Sequence, residues 1–570
     1  MTVLPSHDRR WWKEAVVYQI YPRSFNDTTG DGNGDLPGIT ARVDYLADLG
    51  VDVVWLSPVF DSPMNDNGYD IRDYRAIADV FGTMADFDRM LAALHDRGIR
   101  LMMDLVVNHT SSEHRWFEQS RQSKHNPYRD YYHWHAPAAD GGPPTNWRSF
   151  FSGSAWTFDE TTGEYYLHLF DETQPDLKWA TPEVRAEIFD MMRFWLDKGV
   201  DGFRMDVIPL LSKPPFEDTD DPTRLHDLYG NGPRIHEYLQ EMHDRVLSEY
   251  DVMTVGEGHA IRKDQVADYA GDDGRALQSF FQFDHVALGR GDENRHKPRD
   301  WSLPELKRVL TEWDEAFGEK AWPSIFLGNH DLPRAVSYFG DDRPAYRVRS
   351  AKLLATLLLT LRGTPYIYQG DEIGMTNAPF ASIDDFRDVE TINDVADREA
   401  AGADRETLLD HHRQLGRDNA RTPMQWTDGP NAGFTEGTPW ILVNPNHETI
   451  NVARARQAPD SVLQYYRRLI ALRDAHDVLL YGKYTLLAPD HPTVFAYRRT
   501  LGEEEVVVVL NFSDTSERFE RPDGLTDQAA ALIGTHDDGP PPADPIRLRP
   551  YEGCVFASGD KTGASPDPVR

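Results

Sequence analysis

Cysteine, lysine and long apolar runs are all scarce in this sequence of 570 residues. The single cysteine, Cys554, excludes an intramolecular disulfide framework and any cysteine-rich zinc site. The most apolar window, Leu353–Leu361, is far shorter than the roughly 20 residues that a membrane-spanning helix needs. The polar start, Met1–Lys13, contains no apolar stretch of the signal-peptide type. These absences predict a cytoplasmic protein that has no membrane partner.

Positive charge is also in short supply, because 60 Lys and Arg residues stand against 94 Asp and Glu residues, a formal net charge of −34. Such an acidic surface argues against binding nucleic acid or an anionic membrane through general electrostatic attraction. Only 12 of the basic residues are lysines. An acidic excess with few lysines favours a halophilic protein, in which strong salt screens the self-repulsion. An ordinary acidic cytosolic enzyme is the alternative.

What the sequence does contain is a regular alternation of short apolar, β-branched segments with amphipathic stretches of helical period, such as Phe87–Arg97 and Val184–Lys198. Eight such segments in β-then-α order predict an α/β fold, a parallel (β/α)8 TIM barrel. A doubly wound open sheet is the competing architecture. The predicted strands are Ala15–Tyr21, Val51–Ser57, Arg100–Val107, Val200–Val207, Val252–Glu257, Phe280–Asp284, Ser324–Asn329 and Pro365–Gln369.

Three segments depart from this alternation. His109–Ala180 is rich in aromatic and turn residues and too long for a loop, so residues 109–180 are predicted to form a small inserted domain. A second, polar insertion covers about residues 374–451, after the eighth strand. From Leu479 short alternating strands predict a C-terminal antiparallel β domain, residues 479–570, which leaves 1–108 and 181–478 for the barrel. The strands predicted in the last domain are Thr493–Arg498, Glu505–Leu510, Ile546–Leu548 and Cys554–Ala557.

Polar side chains follow several of the predicted barrel strands. The active site of a (β/α)8 barrel lies at the carboxyl ends of its strands, so these groups are expected to converge. Acids packed close to Arg and His perturb one another's pKa, which is useful for acid–base chemistry. Several acids in one cleft with aromatic walls predict cleavage of a glycosidic bond. The groups are Asp104, Asn108 and His109 after the third strand, Arg204 and Asp206 on the fourth, Glu257 on the fifth, and Asn329, His330 and Asp331 after the seventh.

At these positions the sequence resembles a known family. Asp104–His109, Gly202–Asp206, Gly256–Glu257 and Gly328–Asp331 resemble the four signature regions of glycoside hydrolase family 13, the α-amylase family. The resemblance extends over roughly residues 11 to 560, with the motifs in the right order. Further segments resemble motifs of the oligo-1,6-glucosidase and α-glucosidase branch: Ile20–Phe25, Gly34–Ile39, Gln174–Trp179 and Arg421–Trp426.

The resemblance implies a different catalytic role for each of three acids. Asp206 is expected to be the nucleophile, and Glu257 the general acid and then the base that activates water. Asp331 is expected to bind sugar hydroxyls and to stabilise the oxocarbenium-like transition state. Arg204 would keep Asp206 ionised, since a carboxylate beside a fixed cation stays charged. Such a double displacement retains the α configuration.

The branch resemblance also implies a pocket closed at one end. Asp66 is expected to pair with Arg417 or Arg421, and the sequence leaves open which of the two arginines faces the sugar. A blocked end implies exo action, with one terminal glucose released at a time. The other expected sugar contacts are hydrogen bonds from His109 and His330, aromatic walls from Tyr69, Phe151 and Phe170, and Gln174 at the next subsite.

The segment Asp27–Asp35 places oxygen-bearing side chains at alternate positions and Gly32 at the sixth, as in the first part of an EF-hand loop. The twelfth position is Gly38 rather than Glu, so the segment is not a true EF-hand. Members of the resembled branch often bind one structural calcium ion here. The alternative is an Asp/Gly-rich turn without metal. The implied ligands are Asp27, Thr29, Asp31, Asn33 through its backbone carbonyl, and Asp35.

Together these features predict a retaining exo-α-glucosidase that acts on short α-glucosides such as maltose, isomaltose and sucrose. It would need no organic cofactor and would exist as a monomer or small homo-oligomer. The rival is glucosyl transfer or isomerisation of the sucrose isomerase or trehalose synthase type. The charged segment Asp292–Asp300 lies where sucrose isomerases carry an arginine–aspartate loop, without matching it closely. A third reading, a catalytically dead partner of a transporter, would lack the acids and carry an anchor.

Overall fold

A computed structural model of the chain describes residues 9–220, 228–271, 277–291, 294–526, 529–536, 539 and 542–558. Eight parallel strands lie at its centre: β1 (Val17–Ile20), β2 (Val53–Leu56), β3 (Arg100–Leu105), β4 (Gly202–Met205), β5 (Met253–Glu257), β6 (Ser279–Phe281), β7 (Ser324–Phe326) and β8 (Thr364–Tyr368). Their order in the sheet is β6-β5-β4-β3-β2-β1-β8-β7. The two end strands meet through a hydrogen bond of 2.8 Å between Ser279 Oγ and Ser324 Oγ. The predicted (β/α)8 barrel is confirmed.

All eight predicted strands are present, although most are shorter than expected. The third, predicted as Arg100–Val107, ends at Leu105 because its ladder with β4 stops there. Val106 and Val107 are still fully buried, so hydrophobicity alone did not mark the end of the strand. The sixth, predicted as Phe280–Asp284, was misplaced, because the last of these residues begins a short helix. The apolar pattern therefore locates the strands, while the ladder sets their ends.

The barrel helices begin at recognisable caps. Thr83 and Ser302 each form a capping box with the third residue of the helix that follows, which satisfies backbone N–H groups at both starts. The helices that follow the eight strands are Val43–Leu49, Met84–His95, Pro182–Asp197, Ile235–Arg245, Val266–Ala270, Leu303–Phe317, Arg347–Thr360 and Val462–Ala475. Shorter helices are Trp11–Glu14, Leu36–Thr40, Arg115–Ser120, Asp284–Ala287, Ala335–Tyr338 and Asp477–Tyr481.

A small antiparallel sheet lies in the chain between β3 and the next barrel helix. Its strands are ordered Trp134–His135, Glu164–Leu167, Trp156–Asp159. Four aromatic residues of this segment, Trp147, Phe150, Phe151 and Trp156, lie in a buried cluster that also includes Val207, Leu210 and Tyr229. The Leu177 N–H donates to the Asn108 carbonyl over 2.8 Å, so the segment starts and ends beside the carboxyl end of β3. The boundaries 109–180 stay a prediction.

The polar segment after β8 contains three α-helices. Its helices are Val389–Ala400, Arg405–Leu415 and Asp418–Arg421, and Val452–Gln457 follows. Each of the first two is capped by an aspartate, Asp388 and Asp404, whose side chain accepts a backbone N–H. The short third helix is buried, and its position brings two arginines to the barrel mouth. This segment is therefore a wall of the site as well as an insertion.

The chain ends in the expected antiparallel sheet. Its five strands are ordered Lys483–Leu487, Val494–Leu501, Glu504–Asn511, Gly553–Ser558, Ala530–Gly534, and a separate pair joins Glu517–Phe519 to Ile546–Leu548. Three of these strands were missed: the two outer strands of the sheet and Glu517–Phe519. Both outer strands are partly exposed. Cys554 is buried in this sheet.

Nowhere in the described ranges does a helix have the length and hydrophobicity to cross a membrane. Asp292 and Glu293, the first residues of the charged segment considered above, lie outside the described residues, as does the end of the chain from residue 559.

Candidate active site

Arg204, on β4, holds three carboxylates at the carboxyl end of the barrel. Its Nη1 lies 2.7 Å from Asp104 Oδ1 and 2.6 Å from Asp206 Oδ1, and its Nη2 lies 2.6 Å from Glu257 Oε2. Only 2% of the arginine side chain is exposed, so little solvent screens these charges. The three acids come from β3, from the end of β4 and from β5, whose parallel pairing sets them side by side.

Asp206 and Glu257 form a coupled pair. Their side chains contact each other as well as Arg204. Burial raises the pKa of Asp206 and the charge of Glu257 raises it further, while Arg204 opposes both effects. Burial also disfavours ionisation of Glu257, but Arg204 and His259 hold the pKa of that carboxyl below its usual range. The surroundings therefore shift the pKa values of the two carboxyls in opposite directions.

The residue after Asp206 has a strained backbone. Val207 has φ of 36° and ψ of 41°, a left-handed conformation that a β-branched residue rarely adopts. Its N–H donates to Glu257 Oε2 over 3.1 Å. Strain of this kind costs on the order of 1–3 kcal/mol and persists where the surroundings enforce it. Here it turns the chain so that a backbone donor faces the second carboxyl of the pair.

Asp104 organises the floor of the site. Its Oδ2 accepts hydrogen bonds from Trp55 Nε1 and from the Tyr69 hydroxyl, both at 3.0 Å, while its Oδ1 contacts Arg204. The Tyr69 hydroxyl also lies 2.7 Å from His330 Nε2, and the two rings stack with centroids 5.2 Å apart. Asp104 thus orients the arginine and the tyrosine and is fixed by all three donors.

Asp331 is held by two arginines and a histidine. Its Oδ1 lies 3.1 Å from Arg417 Nη1 and 2.9 Å from Arg421 Nη2, and its Oδ2 lies 3.0 Å from His330 Nε2. Burial opposes ionisation, but these neighbours hold the pKa of Asp331 well below its usual range. Arg417 lines the cavity, whereas Arg421 is 1% exposed and lies behind it. Arg417 is therefore the arginine that faces the cavity.

Asp66 closes one side of the cavity. Its Oδ2 accepts a hydrogen bond of 3.0 Å from Gln174 Nε2, and its Oδ1 lies 3.5 Å from Arg417 Nη2. Burial raises the pKa of Asp66 to about 7, although Arg417 and Arg421 lower it. Its Oδ1 has no hydrogen-bond partner in the part of the chain that the structure describes. A buried acceptor left in this way is costly, and a sugar hydroxyl can satisfy it.

These groups surround one cavity of about 600 Å³. His109 lines it with its Nε2 3.1 Å from the Tyr69 carbonyl, and burial lowers the pKa of His109 to about 4, so the imidazole is neutral at pH 7. Four of the residues expected to bind sugar, Gln174, Arg204, His330 and Arg421, are buried behind the wall and hold the lining groups, and direct sugar contacts from Gln174 and His330 stay predictions. The expected residues that line the cavity are Asp66, Tyr69, His109, Phe151, Phe170, Asp206, Glu257, Asp331 and Arg417.

Sequence reasoning missed several charged residues of the site. Asp388 lies 2.5 Å from Arg417 Nη2 and 3.2 Å from Arg421 Nη1, and Glu390 lies 3.0 Å from Arg417 Nε. Both lie at the start of the helix Val389–Ala400. An Asp-x-Glu pair at that position is typical of ordinary helix capping, so nothing in the sequence indicated a role in the site. His259 Nε2 lies 3.0 Å from Glu257 Oε1, and its ring stacks on Phe283. The signal in the sequence was its position two residues after an expected catalytic acid.

The segment proposed to bind calcium forms a tight loop before the helix Leu36–Thr40. Asp27 Oδ2 accepts from the Gly32 N–H over 2.8 Å, and Asp35 Oδ1 accepts from the Gly38 N–H over 2.6 Å. Gly32 has φ of 93°, the left-handed turn expected of a glycine at the sixth position. The carboxylates of Asp27, Asp31 and Asp35 do not converge within 4.8 Å of one another in the described structure. The oxygen-only donor set is of the kind that a hard cation prefers. Two of its carboxylates already accept several hydrogen bonds, Asp27 from Thr29, Gly30, Gly32 and Thr435, and Asp35 from Thr28 and Gly38.

The remaining implied ligands lie in the same loop. The Thr29 hydroxyl donates to Asp27 Oδ1 over 3.1 Å, and the Asn33 N–H donates to Asp31 Oδ1 over 2.8 Å. The Asn33 side chain accepts from Arg23 Nε, which leaves its backbone carbonyl as the ligand proposed from this residue. The loop thus satisfies its own acids by local hydrogen bonds.

Two carboxyls held by one guanidinium at the floor of an aromatic-walled cavity are suited to cleaving a glycosidic bond. This chemistry at the carboxyl end of a (β/α)8 barrel defines the molecule as a glycoside hydrolase.

Comparisons with known proteins give the family. The α-amylase catalytic domain matches residues 19–482. An oligo-1,6-glucosidase from Parageobacillus thermoglucosidasius is 55% identical over 558 residues, 96% of this chain and 99% of that protein. An isomaltulose synthase variant from Erwinia rhapontici NX5, solved in complex with sucrose, superimposes with a TM-score of 0.94 at 46% identity, over 96% of this chain and 99% of that one. The chain belongs to the α-amylase family, glycoside hydrolase family 13.

Proposed function

We propose that this protein is a retaining exo-α-glucosidase, which releases glucose from the non-reducing end of short α-glucosides. The observation that carries the proposal is the contact between Asp206 and Glu257 through Arg204. Inverting glycosidases hold their two carboxyls about 6.5–9.5 Å apart to admit a water molecule, whereas retaining enzymes hold them closer. A pair that touches one guanidinium and each other leaves no such gap. Oligo-1,6-glucosidases from two bacteria, 55% and 51% identical, support the assignment.

The reaction requires one proton on this pair of carboxyls. A glycosidic oxygen placed against Glu257 has lone pairs and no proton to donate, so it favours the state in which Glu257 carries the proton and Asp206 is ionised. Asp206 then attacks the anomeric carbon while Glu257 protonates the leaving oxygen. In the second step Glu257 takes a proton from water, which attacks the same carbon and displaces Asp206. Arg204 stays charged throughout and keeps the nucleophile in place.

Exo action follows from the closed end of the cavity. Asp66 and Arg417 stand side by side at the wall, with Asp331 bound to the same arginine. Together they offer charged partners to the hydroxyls of one terminal sugar, and they block a longer chain from passing through. Phe151 and Phe170, with ring centroids 5.4 Å apart, supply an aromatic wall. A terminal glucose therefore fits this end better than an internal unit of a glucan.

A panel of sugars tests the proposal. Maltose, isomaltose, sucrose and amylose are each incubated with the enzyme, and the products are separated and identified. The proposal predicts rapid release of glucose from disaccharides and little activity on amylose. Efficient internal cutting of amylose contradicts the closed cavity.

Isomerisation of sucrose is the second candidate, and one observation favours it. Arg295 and His296, in the segment where sucrose isomerases carry their arginine–aspartate loop, line the cavity, and both contact Glu390. Groups there can hold a released fructose and exclude water from the intermediate. Products from sucrose separate the two functions, because hydrolysis gives glucose and fructose whereas isomerisation gives a new disaccharide.

Calcium at the loop Asp27–Asp35 is part of the proposal. The ion would bind the side chains of Asp27, Thr29, Asp31 and Asp35 and the carbonyl of Asn33. It would act on stability rather than on the reaction, since none of these residues lines the cavity.

The acidic surface supports a further proposal, that the enzyme works in a salt-rich cytoplasm. A charge of −34 produces self-repulsion at low ionic strength. Molar salt shortens the screening length to about 3 Å and removes most of that repulsion. A melting temperature that rises from 0.1 to 3 M KCl supports this proposal, and one that is flat or falls contradicts it.

A further inference from the structure

A cluster of two histidines and an aspartate lies beyond the catalytic acids, on the wall made by the segment after β8. His296, Asp394 and His412 each offer a ligand atom, and the three atoms lie within 4.8 Å of one another. They come from three places in the chain: the loop after β6, the helix Val389–Ala400 and the helix Arg405–Leu415. His296 and Asp394 also line the cavity, whereas His412 lies behind it.

The contacts within the cluster are few and incomplete. His412 Nε2 lies 2.9 Å from Asp394 Oδ2, and the ring is fully buried. Its other nitrogen, Nδ1, has no hydrogen-bond partner in the described ranges. An orphaned nitrogen on a buried imidazole is uncommon in folded proteins and calls for a ligand that is not a protein group. His296 Nε2 lies 3.2 Å from Glu390 Oε1, so a fourth ligand is adjacent.

The charges suit a cation. Asp394 supplies a negative charge, which Arg398 Nη1 now approaches at 3.2 Å. Arg398 is partly exposed, and its Nη2 also lies 3.0 Å from His411 Nδ1, so it keeps a partner when it moves away from Asp394. The arginine is the competitor that a metal ion has to displace.

From this geometry we propose that His296, Asp394 and His412 bind a divalent transition-metal ion of the zinc type. Two imidazoles and one carboxylate are a ligand set that Zn²⁺ accepts, with Glu390 or water in the fourth position. The ion would tie the loop after β6 to the helices Val389–Ala400 and Arg405–Leu415. It would therefore hold together two segments that line the cavity. The inference does not depend on the proposed glucosidase activity.

Calorimetric titration of the full-length protein with ZnCl₂ tests the site. The protein is first dialysed against a chelator and then held in excess CaCl₂, which keeps zinc from the oxygen-rich loop Asp27–Asp35. We expect one Zn²⁺ per chain in the wild type, and at least tenfold weaker binding in H296Q. Arg398→Gln removes the competing cation and is expected to bind zinc more tightly than the wild type. Such a gain in affinity cannot arise from damage to the fold.

An exposed histidine provides the control. His125 is not part of the cluster, so H125Q should bind zinc within about twofold of the wild type. Co²⁺ gives a second readout, since its visible absorption reports nitrogen ligands and should be lost in H296Q. A wild type that binds no zinc, or an H296Q variant that binds zinc and cobalt as the wild type does, overturns the proposal.

Discussion

Arg417 Nη2 lies 3.5 Å from Asp66 Oδ1, so two residues far apart in the chain meet at the closed end of the cavity. The pair is held from behind by Gln174 on the aspartate and by Asp388 on the arginine. Asp66 keeps one acceptor atom free of hydrogen bonds in the described structure. This relationship gives the cavity both a boundary and a polar partner for one terminal sugar.

Arg417→Ala is expected to lower kcat/KM on maltose and isomaltose at least 100-fold, about 2.7 kcal/mol of transition-state stabilisation. The arginine pairs with Asp331, Asp388 and Glu390 and also faces Asp66. Its loss therefore leaves several acids of the site without their positive partner. Arg405→Ala, which removes a surface arginine that pairs with Asp384 and Glu399, is the control and should leave kcat/KM unchanged. An R417A enzyme with the wild-type kcat/KM contradicts the closed-end account.

The two members of the coupled pair can be told apart by the leaving group. Asp206→Asn and Glu257→Gln should each lose about a thousandfold or more in turnover of maltose, about 4 kcal/mol. α-Glucosyl fluoride needs no proton to leave, so E257Q should still release a burst of fluoride, whereas D206N should release none. Added azide should then rescue E257Q and give α-glucosyl azide. If the two variants release fluoride equally, the assignment of Asp206 as nucleophile and Glu257 as acid and base is wrong.

Much of this arrangement could be predicted from the sequence, and the missing parts have a common cause. The strands and the acids at their ends are local signals, because an apolar run and the polar residue after it are neighbours in the chain. Asp388, Glu390 and His296 carry no such signal, since their roles come from contacts with Arg417 or with one another across distant segments. The choice between Arg417 and Arg421 was open for the same reason.

Acid should destabilise the protein through buried histidines such as His285. Burial lowers the pKa of His285 to about 4, against the ordinary value of 6.5. Between about pH 6.5 and pH 4 the unfolded chain binds a proton at this histidine that the folded chain does not bind. The free energy of unfolding therefore decreases as the pH is lowered through this range. At pH 5 the loss from this one residue is about 2 kcal/mol.

His285→Gln should therefore show a smaller fall in melting temperature between pH 7 and pH 5 than the wild type does. Gln can keep the contact that His285 Nε2 makes with the Phe326 carbonyl at 2.8 Å. His125→Gln, at an exposed histidine, is the control and should leave the pH dependence as it is in the wild type. If the melting temperature of H285Q falls between pH 7 and pH 5 as much as that of the wild type, His285 is not a source of the acid destabilisation.

Calcium removal should lower the melting temperature. The protein as purified is expected to contain one calcium ion per chain by elemental analysis, and dialysis against EDTA should remove it together with the extra stability. Asp31→Asn should bind calcium more weakly, whereas Asp44→Asn, at an exposed aspartate outside the loop, should not. If the protein contains no calcium and EDTA does not change its melting temperature, the calcium proposal is wrong and the loop is a metal-free turn.

The anomer of the first glucose released tests the central claim most directly. p-Nitrophenyl α-glucoside is mixed with the enzyme, and proton NMR spectra are recorded within the first minutes, before mutarotation mixes the anomers. Double displacement at Asp206 with Glu257 as acid and base predicts that α-glucose appears first and that β-glucose follows slowly. β-Glucose as the first product would contradict a retaining mechanism at this pair of carboxyls.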